Sequence, residues 1–63
     1  MKPQRLFNIL THASQYMFML KDFERDLVND RLAAYRQYGL RTRITPKQEV
    51  VLEEIAQKLF VRD

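Results

Sequence analysis

The chain has no cysteine and no tryptophan, and in 63 residues it carries one glycine, one histidine and two prolines. Without cysteine there can be no disulfide and no thiolate metal site, and redox chemistry leaves the compartment open. One histidine excludes a two-histidine zinc motif. No apolar run approaches the roughly 20 residues of a membrane-spanning helix. Lys2 and Arg5 flank the start, but Leu6 to Leu10 is too short for a secretory core and Asn8 interrupts it. These absences lead to the expectation of a soluble, cytoplasmic protein with no metal and no cofactor.

A chain this short is read as one domain, and a core of such size supplies roughly 3–5 kcal/mol. With disulfides and metal set aside, a second chain is the remaining source of stability, so a homo-oligomer or a place in a larger complex is expected. At 46% hydrophobic and 30% charged residues the sequence is too apolar for a disordered chain.

Helix breakers are also scarce, for no proline or glycine falls between Pro3 and Gly39. Over that span Leu6, Leu10, Ala13, Met17, Leu20, Phe23, Leu27, Ala34 and Tyr38 recur mostly in three- and four-residue steps, which is helical periodicity. Strand alternation is nowhere sustained. Thr11 to Ser14 is the one stretch suited to a break, since threonine and serine cap helices better than they fill them. An unbroken helix over 3–38 would be about 54 Å long, too long to bury its stripe in one small domain. The sequence therefore predicts helices over about 3–12 and 15–38, with a single rod pairing with another molecule as the alternative. Gly39 closes the second helix as a left-handed cap. Thr45-Pro46-Lys47-Gln48 then reads as a capping box with proline at the first helical position, opening a third helix over about 46–60. On it Leu52, Ile55, Ala56 and Leu59 share a face, and Glu54 and Lys58 stand four apart. The fold class is all-α, a bundle or hairpin of two to three helices.

No catalytic residue emerges, because nothing pairs a nucleophile with a base, no ligand set converges and no phosphate loop exists. His12 has Asn8, Ile9, Gln15 and Tyr16 as helical neighbours, none acidic, and is read as a capping or surface residue. Asp22, Asp26 and Asp30 fall on one helical line but lack the loop geometry of calcium sites, and are read as a solvated face. Two features remain. Tyr16 to Leu20 (YMFML) is five apolar residues in a row, more than one buried helix face can absorb; Tyr16, Phe18 and Met19 are thus candidates for a partner interface. Between Arg31 and Lys47 lie five positive charges and no acid, while the rest of the chain is slightly acidic. Arg36, Arg41, Arg43 and Lys47, interleaved with Tyr35 and Tyr38, have the charge density that phosphate backbones need and rings able to stack on unpaired bases.

Phe23, Leu27, Tyr35, Tyr38 and Gly39, followed by Ile44-Thr45-Pro46-Lys47-Gln48, Leu52 and Ile55, form a pattern. It resembles short helical segments of bacteriophage replication and single-strand-processing proteins. The resemblance covers about half of the chain and implies a phage or mobile-element setting and a supporting role near nucleic-acid machinery. A capped helix like 46–60 also opens some helix-turn-helix repressors. Only three residues follow Phe60, so no recognition helix is expected after it. Two readings follow. One is a non-enzymatic accessory protein binding nucleic acid through the basic turn. The other is an interaction module or inhibitor docking on a host or replication protein, with Tyr16, Phe18 and Met19 as anchor and the arginines as rim.

Overall fold

A computed structural model describes residues 1–62. Three α-helices, α1 (Pro3–Gln15), α2 (Asp22–Tyr38) and α3 (Pro46–Lys58), each pack on the other two. One turn of 3-10 helix, Met17–Met19, lies between α1 and α2, and another, Gly39–Arg41, follows α2. There is no strand among the described residues, and no helix among them is long and apolar enough to cross a membrane.

α1 places Leu6, Ile9, Leu10 and Ala13 on one face, at the spacing of a single helical stripe. Opposite them stand Leu52, Ile55 and Ala56 of α3. α2 adds Val28, and Leu20 from the connection after α1 and Val61 from the segment after α3 close the core. Leu27, Leu32 and Tyr35 pack half-buried against this centre. The Phe7 and Tyr35 rings, 5.7 Å apart, join α1 to α2 along one side. Arg5 of α1 grips Glu53 of α3 with two hydrogen bonds, 2.8 and 3.2 Å, and a third goes from its guanidinium to the Val61 carbonyl at 3.4 Å.

The capping box of α3 forms as expected. The Gln48 N–H donates to Thr45 Oγ1 at 3.2 Å, and the Thr45 N–H donates to Gln48 Oε1 at 3.0 Å, with Pro46 opening the helix. Other expectations need correction. α1 does not break at Thr11 to Ser14 but runs on to Gln15: the Ser14 hydroxyl donates to the Thr11 carbonyl at 2.7 Å, so it is satisfied inside the helix, and Ala13 is fully buried. The break falls at 16–21, which excludes a rod over 3–38. Residues 15–21 thus lie outside α2, and α3 ends at Lys58 rather than at 60. Gly39 has positive φ as expected, but at φ 58° and ψ −130° it is not in the left-handed helical well. That pair of angles is close to the first central position of a type II′ turn, which glycine dominates. Phe23 and Tyr38, expected on the inward stripe, are more than half exposed, because α2 turns Glu24 and Val28 inward instead. Lys58 reaches Glu24 of α2, 2.8 Å away, rather than Glu54 of its own helix.

Candidate nucleic-acid interface and apolar groove

The basic turn follows from how α2 ends. The Gly39 N–H closes on the Tyr35 carbonyl, and the Gly39 carbonyl accepts both the N–H and the hydroxyl of Thr42, at 3.1 and 2.7 Å. This tight turn brings the chain back past the last two turns of α2. Arg31 fastens the two together, its guanidinium bonding Asp30 at 2.6 and 2.9 Å and donating to the Arg43 carbonyl at 3.0 Å. The result is an open groove of about 370 Å³ lined by Arg31, Ala34, Tyr38, Arg41, Thr42 and Arg43. Arg41 and Arg43 are exposed and form no ion pair among the described residues, and Tyr38, which lines the groove with them, is 55% exposed.

Of the six residues expected to carry a basic site, the groove gathers three: Arg41, Arg43 and Tyr38. Arg36 is exposed but lies two residues beyond Ala34, about 200° around the helix. Lys47 is exposed in the first turn of α3, outside the groove. Tyr35 packs against Phe7 and the core, so its ring serves the fold. Thr42 carries no signal in the sequence; Arg31 belongs to the basic run, but only the fold directs it into the turn.

The residues expected at a partner interface lie elsewhere. In the connection after α1, Met17 and Leu20 turn inward, while Tyr16, Phe18 and Met19 stay 41%, 78% and 47% exposed. A second groove, about 400 Å³, is lined by His12, Tyr16, Met19, Lys58, Leu59 and Phe60. Phe18 stands beside it, its ring 6.1 Å from that of Tyr16. Phe60, 85% exposed, is part of this surface and was not foreseen. His12 is exposed and Nδ1 donates to the Asn8 carbonyl at 2.8 Å. Asp22, Asp26 and Asp30 of α2 are exposed as expected, with Asp22 paired to Arg25 and Asp30 to Arg31.

The two grooves share no residue and lie at opposite ends of α2. Lys58 of the apolar groove is bonded to Glu24 in the first turn of α2, whereas Tyr38 ends that helix, about 20 Å further along its axis. The fold does not bring the arginines around Tyr16, Phe18 and Met19. Glu24 is buried, at 3% exposure, and Oε1 accepts from Lys58 Nζ and from the Lys21 N–H, both at 2.8 Å. Burial by itself raises the pKa of this carboxyl. The Lys58 hydrogen bond, the Lys21 N–H and the two lysine charges outweigh that and hold it below the ordinary value of 4.5.

Comparison of the chain with protein-family models, curated proteins and solved structures gives no match.

Proposed function

We propose that the chain is a non-enzymatic, cytoplasmic accessory protein that binds nucleic acid at the turn after α2. Arg41 and Arg43 contact phosphates there, Arg31 holds the turn in place, and Tyr38 stacks on an unpaired base. The observation that carries this reading is the groove itself, which Arg41 and Arg43, exposed and outside any ion pair among the described residues, line together with the half-exposed Tyr38. Its size is that of a small-ligand cleft, enough for a nucleotide but not for a duplex. A stacked base contributes about 1–3 kcal/mol irrespective of sequence, so the preference is for single strands. Arg36 and Lys47 add to the positive field around the groove without lining it. Self-association or a place in a larger complex belongs to this reading, and so does a phage or mobile-element origin, which rests on the resemblance of Phe23 to Leu59.

The alternative, docking on a host or replication protein, is favoured by the exposure of Phe18 and Phe60. The distance between the apolar groove and the arginines weighs against the version with a basic rim.

Fluorescence anisotropy of labelled single- and double-stranded oligonucleotides at several salt concentrations tests the first reading. The expectation is tighter binding of the single strand, and a log–log salt slope that falls by about 0.7 for each phosphate no longer neutralised. The Arg41→Gln/Arg43→Gln variant then loses about 1.4 from that slope. Tyr38→Ser weakens single-strand binding and leaves the slope in place. Absence of binding at low salt by the folded protein would rule the reading out.

A further inference from the structure

The apolar groove at the other end of α2 has no part in the basic-turn reading. Phe18 and Phe60 are 78% and 85% exposed there, and Tyr16 and Met19 41% and 47%. With a full aromatic side chain at about 200 Å², these four leave on the order of 500 Å² of mainly apolar surface in water. A patch of that size on a small monomer is commonly functional.

The backbone at Phe60 is a second, independent observation. Its φ of 56° makes it the only non-glycine residue with positive φ among the described residues. The Phe60 N–H bonds the Gln57 carbonyl at 3.3 Å and the Val61 N–H bonds the Ala56 carbonyl at 2.9 Å. These two bonds define a Schellman ending, and the residue after the cap in that motif is usually glycine, which has no Cβ to strain. A phenylalanine here is strained and returns no burial, since its ring faces solvent at the groove edge. Strain of this kind persists where the side chain serves a function.

We propose that this surface is a two-fold interface with a second copy of the chain. Phe18 of each protomer enters the groove formed by Tyr16, Met19, Leu59 and Phe60 of the other. Three features select a second copy over a foreign partner. A protruding ring and a groove lie side by side on one face, as a self-complementary two-fold contact requires. Two such patches together bury about 1,000 Å², the lower bound for specific association. The groove's basic side chains are His12 and Lys58, no acid lines it, and Lys58 is already held by Glu24. No strong field is therefore left to select a charged partner. The proposal gives a surface to the self-association included in the reading above, and it does not depend on the basic groove.

Sedimentation equilibrium of the chain without nucleic acid, from about 1 µM to 1 mM, tests this. The mass is expected to rise from 7.6 kDa toward twice that value. Phe18→Ser and Phe60→Gly each weaken the dimer about tenfold or more. Phe60→Gly keeps its helical circular dichroism, and its thermal midpoint at monomeric dilution is not lowered, because glycine suits the position. The Arg41→Gln/Arg43→Gln variant dimerises like the unaltered chain, so failure of the basic-groove reading leaves this one standing. A mass that stays at 7.6 kDa across the range overturns the proposal, and growth beyond two copies does so too. Undiminished dimerisation of both phenylalanine variants overturns the choice of surface. Loss of nucleic-acid binding in Phe60→Gly with no change of mass assigns the patch to nucleic acid and refutes the dimer.

Discussion

The Glu24–Lys58 pair is the most exacting test of how this small core is held. Replacing Lys58 by Met leaves a carboxylate at 3% exposure with the Lys21 N–H as its remaining donor. An unpaired buried charge costs up to about 3–5 kcal/mol. The retained bond and the partial exposure of the site through Lys58, itself 34% exposed, bring the figure nearer to 2–3 kcal/mol. Replacing Glu24 by Gln is the milder change. The amide oxygen still accepts from Lys21, and the freed ammonium of Lys58 can turn to water, so the loss is about 1 kcal/mol. At about 4–8 °C per kcal/mol for a domain of this size, Lys58→Met lowers the thermal midpoint at pH 7 by roughly 10–20 °C and Glu24→Gln by about half of that or less.

The pH dependence separates the two states of Glu24 further. In the unaltered chain its folded pKa lies below 4.5. Its contribution is therefore complete above 4.5 and is lost as pH falls through the lower folded value. In Lys58→Met the Lys58 hydrogen bond and charge no longer offset burial, so the folded pKa rises above that of the unaltered chain. Acidification from pH 7 then costs the variant less than the unaltered chain, because protonating its carboxyl relieves the buried charge. Thermal melts by circular dichroism of both proteins between pH 7 and 4 should show the gap in midpoint narrowing as pH falls. If Lys58→Met is no worse than Glu24→Gln at pH 7, or if the gap is constant with pH, Glu24 is not a buried carboxylate held charged by Lys58.

Three other substitutions probe the local signals. Gly39→Ala meets no atom within 4 Å of its new Cβ, so its cost is torsional only, about 1–3 kcal/mol for a backbone region that glycine dominates, read as a lower urea midpoint with unchanged slope. Thr45→Ala removes the acceptor for the Gln48 N–H and lowers stability by about 1 kcal/mol, with little further loss when Gln48→Ala is added, because the two bonds act as one box. Leu52→Ala empties a fully buried position at a cost of about 2–5 kcal/mol; that is comparable to the whole stability of a domain this small, so the far-ultraviolet signal at 25 °C should fall substantially.

What could be read in the sequence tracks how local its cause is. The start of α3 was legible because threonine, proline and glutamine at consecutive or near-consecutive positions satisfy one another's backbone groups. That Arg41, Arg43 and Tyr38 lie together at the turn is legible for the same reason, being the product of one glycine turn, although the groove they line is not. Arg36 and Tyr35 were misplaced because their positions depend on the phase of α2, and that phase is set by Glu24. A stripe drawn through apolar residues cannot put an acid on the inward face, yet Lys58, 34 residues away, makes Glu24 an inward residue. The same ion pair takes Lys58 from Glu54, the partner its own helix offers. The break after α1 is signalled by Tyr16 to Leu20 rather than by Thr11 and Ser14. Thr11 and Ser14 look like caps, but a hydroxyl can bond back within a helix, so they do not force an ending. Tyr16 to Leu20 does force one. A continued helix would have spread five apolar side chains around its circumference, whereas the 3-10 turn sends Met17 and Leu20 inward and leaves Tyr16, Phe18 and Met19 together outside. The position of the chain break and the existence of the exposed apolar patch are thus one event. Phe60 joins that patch through a left-handed residue for which the sequence carries no signal, because the motif it completes normally ends in glycine. It is also the one member of the patch whose removal should relieve strain rather than cost stability, which makes it the position where folding and association can be measured apart.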